Sequence, residues 1–188
     1  MLTAFEMRPC ARVAESPTFD LHHHVLLIRP SHTEEALAKS ITMESAFPSP
    51  DTWATATGEA DGHAVIYRYR MHRPHGADWF SFPYALCVLW SYDVTVRNGM
   101  PPTEDNEHQV SFEDATASLD EGQHGYLMLV STGNGCKRWL HYVRDPKRWV
   151  EELNKCLSGH KRYPLQIENW RDDEWTTWQE FAASVTGS

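Results

Sequence analysis

The chain has 188 residues, 41% hydrophobic and 12% aromatic, with a formal net charge of -9. Length and composition exclude a disordered or fibrous chain and fit one domain with a real core, or one domain plus an extension. The acidic balance argues against general nucleic-acid binding, which needs Lys and Arg to displace counterions, and no run approaches the roughly 20 apolar residues of a membrane span.

Residues 1–50 read as an N-terminal extension. The opening MLTAFEMRPC lacks an apolar signal core. Pro9 and Pro17 interrupt a stretch with no clear period. His24 to Arg29, HVLLIR, is a short predicted strand, and Ser31 with Glu34 three residues on forms a capping box for a helix to about Ile41. Pro48 and Pro50 then break the chain and mark a boundary, so residues 51–188 form the main domain.

Trp53 to Thr57 and His63 to Arg70 are predicted strands of a hairpin, with Gly58 and Gly62 bracketing the turn. Tyr84 to Val96 is the longest strand-like run. Tyr84, Leu86, Val88, Trp90, Tyr92, Val94 and Val96 share one face, and Ala85, Cys87 and Leu89 begin the other. Such a strand belongs inside a sheet. A helix capped by Thr103 follows, with acidic residues in its first turn and a weak stripe of Val110, Phe112, Ala115 and Leu119; Gly122 closes it.

Tyr126–Ser131 and Lys137–Val143 are predicted strands joined by Gly133-Asn134-Gly135, a strong hairpin signal. Asp145-Pro146 starts a helix with Trp149, Val150, Leu153, Cys156 and Leu157 along one side. Tyr163 to Trp170 is a further strand. Asp172 or Asp173 caps a last helix carrying Trp175, Trp178, Phe181, Ala182 and Val185.

From Tyr84 to Trp170 the order is strand, helix, strand, strand, helix, strand. The predicted fold class is therefore α+β, a ferredoxin-like βαββαβ sandwich with an added N-terminal hairpin and a C-terminal helix. Both crossover helices cover one sheet face. The other is free for a partner unless the final helix or the first 50 residues lie over it.

Several local patterns resemble the bacterial family catalogued as domain of unknown function 695. They are Phe82-Pro83-Tyr84 entering a strand with Trp90-Ser91-Tyr92, then Gly99-Met100-Pro101, then the acidic helix. Thr132-Gly133-Asn134-Gly135 before Trp139 and Tyr142 follows, and last Asp173-Glu174-Trp175 with Trp178 and Phe181. The resemblance covers about residues 51–185; Asp-Glu-Trp stands where Asp-Pro-Glu-Trp is expected. It implies a binding protein more than an enzyme and supplies no catalytic residues. Members are sometimes linked with proteins similar to a regulator of ribonuclease E, and related small domains occur as immunity proteins beside bacterial toxins.

The charge pattern supplies the candidate site. Glu104, Asp105, Glu107, Glu113, Asp114, Asp120 and Glu121 fall in one helix and its ends with no Lys or Arg among them. The ordinary reading is a solvated face; the sharper one is a docking surface for a basic partner such as a toxin or nuclease. Lys137, Arg138, Arg144, Lys147, Arg148, Lys161 and Arg162 cluster later, but the overall charge opposes a nucleic-acid patch there.

His22-His23-His24 and the loop holding His72, His75 and Asp78 invite a metal reading. Neither has ligand spacing, and a polar strand entrance and an ordinary turn explain them better. Cys136 beside Lys137 and Arg138 is a candidate for a lowered thiol pKa. The four cysteines, Cys10, Cys87, Cys136 and Cys156, form no C-x-x-C and read as reduced, which fits a cytoplasmic protein. No cofactor motif is present. The leading expectation is a non-enzymatic immunity protein that neutralises a bacterial toxin by direct binding. The alternatives are a regulator of an endogenous ribonuclease, or a metal-assisted hydrolase using His72, His75 or the His22–His24 run.

Overall fold

The computed structural model describes residues 52–186 except Val96 and Glu121. The predicted strand at 24–29, the helix after it, Cys10 and the His22–His24 run lie outside the described residues. Six strands form one antiparallel sheet: β1 (Trp53–Ala60), β2 (His63–Arg70), β3 (Tyr84–Ser91), β4 (Gly125–Gly133), β5 (Cys136–Val143) and β6 (Leu165–Arg171). Their order across the sheet is β1-β2-β4-β5-β3-β6. The helices are α1 (Thr103–Thr116), α2 (Pro146–Cys156) and α3 (Thr176–Thr186). The architecture is α+β.

β3 is the interior strand its sequence predicts, flanked by β5 and β6. It is shorter than its alternation, because it stops at Ser91, opposite the first residue of β5. Beyond that point there is no ladder to join. Asp93 Oδ1 instead accepts from the Thr95 amide at 2.9 Å and the Thr95 hydroxyl at 2.7 Å, closing a side-chain turn. Val94 folds against the β4–β5 hairpin, where a Cβ on Gly135 would lie 2.9 Å from the Val94 Cβ. That hairpin is the Asn-Gly turn expected, with positive φ at Asn134 (49°) and Gly135 (69°). The first hairpin differs from expectation. β1 runs on through Gly58, which pairs with Val65, and Asp61 and Gly62 make the turn.

Register sorts the side chains into two layers. Leu86, Val88 and Trp90 of β3, Val130 of β4, and Trp139 and Val143 of β5 join Phe112 of α1, Leu119 of the short 3-10 helix Ala117–Asp120, and Trp149 and Leu153 of α2. α2 starts as predicted: Asp145 Oδ1 accepts from the Lys147 amide at 2.9 Å and the Arg148 amide at 3.1 Å. α1 does not, since Thr103 is already helical, Pro102 stands at the N-cap, and no side chain caps it.

The second layer settles the question of the other sheet face. Phe82, Ala85, Met128, Leu140 and Tyr142 pack under Trp175 and Trp178, while Phe181 and Val185 cover Ala56 and Tyr69. The Trp175 indole donates to the Phe82 carbonyl and the Trp178 indole to the Arg70 carbonyl, both at 3.0 Å. Asp172 caps α3 by accepting from the Thr176 amide at 2.7 Å and the Thr177 amide at 3.0 Å; it also accepts from the Tyr142 hydroxyl at 2.7 Å. Among the described residues no helix is long and apolar enough to cross a membrane.

Candidate functional site

Antiparallel pairing puts a row of charged and aromatic groups under α1. Arg68 of β2 pairs with Val130 of β4, which pairs with Trp139 of β5, so Arg68 and Trp139 share the α1 side of the sheet. Alternation along each strand adds Arg70, Lys137 and His141 to that side.

Glu113 of α1 meets this row. Its Oε1 accepts from Lys137 Nζ at 2.7 Å and Trp139 Nε1 at 2.9 Å, and its Oε2 from Arg68 Nη2 at 3.1 Å. Burial alone would raise the Glu113 pKa. The bonds and charge of Lys137, with Trp139 and Arg68 behind them, overcome that and hold the carboxyl below its ordinary value. One turn beyond α1, Asp120 Oδ2 accepts from Arg70 Nη2 at 2.9 Å and Oδ1 from the Leu127 amide at 2.6 Å. Arg68 and Arg70 also lie over the Trp53 ring, 5.5 and 5.0 Å from its centre.

Between α1 and the β1–β2 hairpin this network borders an open cleft of about 320 Å³. Its lining includes Trp53, Arg68, Glu113, Asp114, Asp120 and His141. His141 is 7% exposed, and its Nδ1 has no hydrogen-bond partner. The ring packs on Trp149 with centroids 4.8 Å apart. Burial drives its pKa down to about 3, so the imidazole is neutral near pH 7 and retains one lone-pair nitrogen.

The acidic run of the sequence is thus split in two. Glu113 and Asp120 face the sheet and are paired. Glu104, Glu107 and Asp114 are exposed and Asp105 is half-buried; among the described residues none of these four has an ion pair. Glu121 lies outside the described residues. Glu104, Glu107 and Asp114 stand at i, i+3 and i+10, which places them on one side of the helix. Besides Arg68 and Lys137 on Glu113, two further cations touch α1: Arg97 donates to the Thr103 hydroxyl at 3.0 Å, and Lys161 lies against the His108 ring.

The other sequence candidates do not assemble. His72, His75 and Asp78 are exposed, and Asp78 Oδ2 accepts from the Ser81 hydroxyl at 2.6 Å. Among the described residues no group of three His, Cys, Asp or Glu side chains could hold a metal ion. Cys136 corrects the lowered-thiol expectation: burial pushes its pKa up. Cys87, Cys136 and Cys156 are free thiols. Of the basic cluster, Lys137 is spent on Glu113 and Arg144 stacks 4.3 Å from the centre of the Phe82 ring.

Sequence reading missed Trp53, Arg68, Arg70 and His141. The one local signal was two arginines at alternate positions of a strand, both on the side facing a carboxylate-rich helix.

A family model described as a family of unknown function (DUF695) matches residues 51–182, well over half of the chain, and the chain belongs to that family. No curated protein and no solved structure matches it.

Proposed function

We propose that this DUF695 chain is a non-enzymatic cytoplasmic binding protein. Its most concrete form is an immunity protein that neutralises a basic bacterial toxin or nuclease by occluding its surface. The observation that carries the reading is the outward side of α1. Glu104, Glu107 and Asp114 form an acidic stripe without an ion pair among the described residues, while the inward carboxylates are neutralised by Arg68, Arg70 and Lys137. Like charges at helical spacing are unfavourable. A basic counter-surface relieves them, and it also speeds the encounter.

The strand order supports a finer reading of the fold. β3-α1-β4 and β5-α2-β6 each skip one strand, which is the split βαβ pattern of a ferredoxin-like sandwich, with β1–β2 added at one edge. Both crossover helices then stand on one face and present α1 to solvent.

The test is co-expression of the chain with the product of an adjacent gene that is toxic by itself. The chain is expected to restore growth and to form a stoichiometric complex. The double variant Glu104→Lys, Glu107→Lys is expected to lose both while keeping its fold by circular dichroism. Failure to protect or to bind, or full protection by the double variant, ends this reading.

A further inference from the structure

The cleft beside α1 lies next to the acidic stripe and shares Asp114 with it. Asp114 is exposed and has no ion pair among the described residues. Three carboxylates line the cleft; those of Glu113 and Asp120 are already held by Arg68, Lys137 and Arg70, which leaves Asp114 as the one that continues the acidic stripe into it. The walls are otherwise aromatic and aliphatic, with Trp53, Phe112, Leu127 and Trp139. At about 320 Å³ the space sits at the small end of ligand pockets, suited to one side chain rather than a large cofactor. A second and independent feature is His141, 7% exposed, lining the same cleft with a ring nitrogen that no protein group satisfies. A buried polar atom without a partner calls for one. The neutral ring presents Nδ1 as an acceptor in one tautomer and as a donor in the other, so a polar guest can satisfy it.

A guest that suits these walls has a flat or aliphatic body for the indoles, several N–H donors and positive charge. We propose that the cleft between α1 and the β1–β2 hairpin receives an arginine side chain of the basic partner. Its guanidinium faces Asp114, and its stem lies along the aromatic wall of the cleft. Arginine supplies five donors in a planar fork and stacks on aromatic faces, which a lysine ammonium does not. It is also among the side chains that most often anchor interfaces. The inference rests on the docking reading above, and adds where the anchor of the complex falls.

The probe is N-acetyl-L-arginine amide, titrated into the full chain while the indole N–H signals are followed by NMR. Trp139 is the reporter of choice, because its indole donates to Glu113 at the cleft wall. Saturable shifts are expected at Trp139 and Trp53, and none with N-acetyl-L-glutamine amide. Asp114→Asn is expected to weaken binding about three- to fivefold, the scale of one solvent-facing charge pair, and added salt to weaken it further. The absence of saturable shifts, an equal response to the glutamine compound, or unchanged affinity in Asp114→Asn would overturn the proposal. These outcomes separate it from the docking reading. If the stripe variant loses its partner while the arginine probe never binds, the cleft falls and the docking face stands. If the probe binds and no basic partner is captured, the reverse holds.

Discussion

His141 makes the stability of this fold depend on pH in a window where its carboxylates are silent. Its pKa falls from an ordinary 6.5 to about 3 because burial disfavours the imidazolium. The unfolded chain therefore takes up this proton first. Stability is full above the unfolded value and drains away as pH falls below 6.5, continuing towards about 3. At about pH 5 the loss is about 2 kcal/mol relative to pH 8, at 1.36 kcal/mol for each unit below the unfolded pKa. Glu113 and Asp172 carry the opposite kind of shift, both lowered, against burial, by hydrogen bonds to the ionised form. Their contribution is present above the unfolded values of 4.5 and 3.8 and is lost only below them, so it does not enter this window. The assay is urea denaturation of the native chain and of His141→Phe between about pH 5 and pH 8; phenylalanine keeps the contact with Trp149 but cannot titrate. The native curve should fall by about 2 kcal/mol more than the variant curve over that range. Parallel curves would refute the argument.

Gln109 is fully buried in α1, and among the described residues neither its amide nitrogen nor its oxygen has a partner. Gln109→Met, similar in volume and in helix propensity, is expected to raise stability by about 1–2 kcal/mol in the same denaturation assay; a loss would show that the amide is satisfied in solution. Asp172→Ala removes the cap of α3 and the acceptor of the Tyr142 hydroxyl together. Adding a cap and one buried hydrogen bond gives an expected loss of about 2–3 kcal/mol, read as a lowered urea midpoint; a change near zero would show that the packing of Trp175 and Trp178 alone secures the helix.

Features written in a few adjacent residues were legible before any coordinates. Asn134-Gly135 and Asp145-Pro146 each impose a local geometry that nothing distant had to override. The end of β3 was not legible, because Tyr92, Val94 and Val96 keep the alternation while the neighbouring strand has no residue left to pair with. The α1 run was legible as acidic but not as two sets. Glu113 and Asp114 are neighbours in the chain, about 100° apart on the helix, and what distinguishes them is Arg68, 45 residues away from Glu113, together with Lys137. Their meeting depends on the order of strands across the sheet, which α1 alone does not encode. His141 was invisible for the same reason, since its surroundings come from β5, α2 and the cleft at once.

The last helix has a consequence for handling the molecule. It is bolted down by two indoles and one carboxylate, and beneath it Phe82, Met128, Leu140 and Tyr142 make an oily plate. Cutting the chain ahead of Trp175 would bare that plate and invite aggregation long before it disturbed the acidic helix on the far side. Shortened versions will therefore fail by precipitation, and that failure carries no message about recognition.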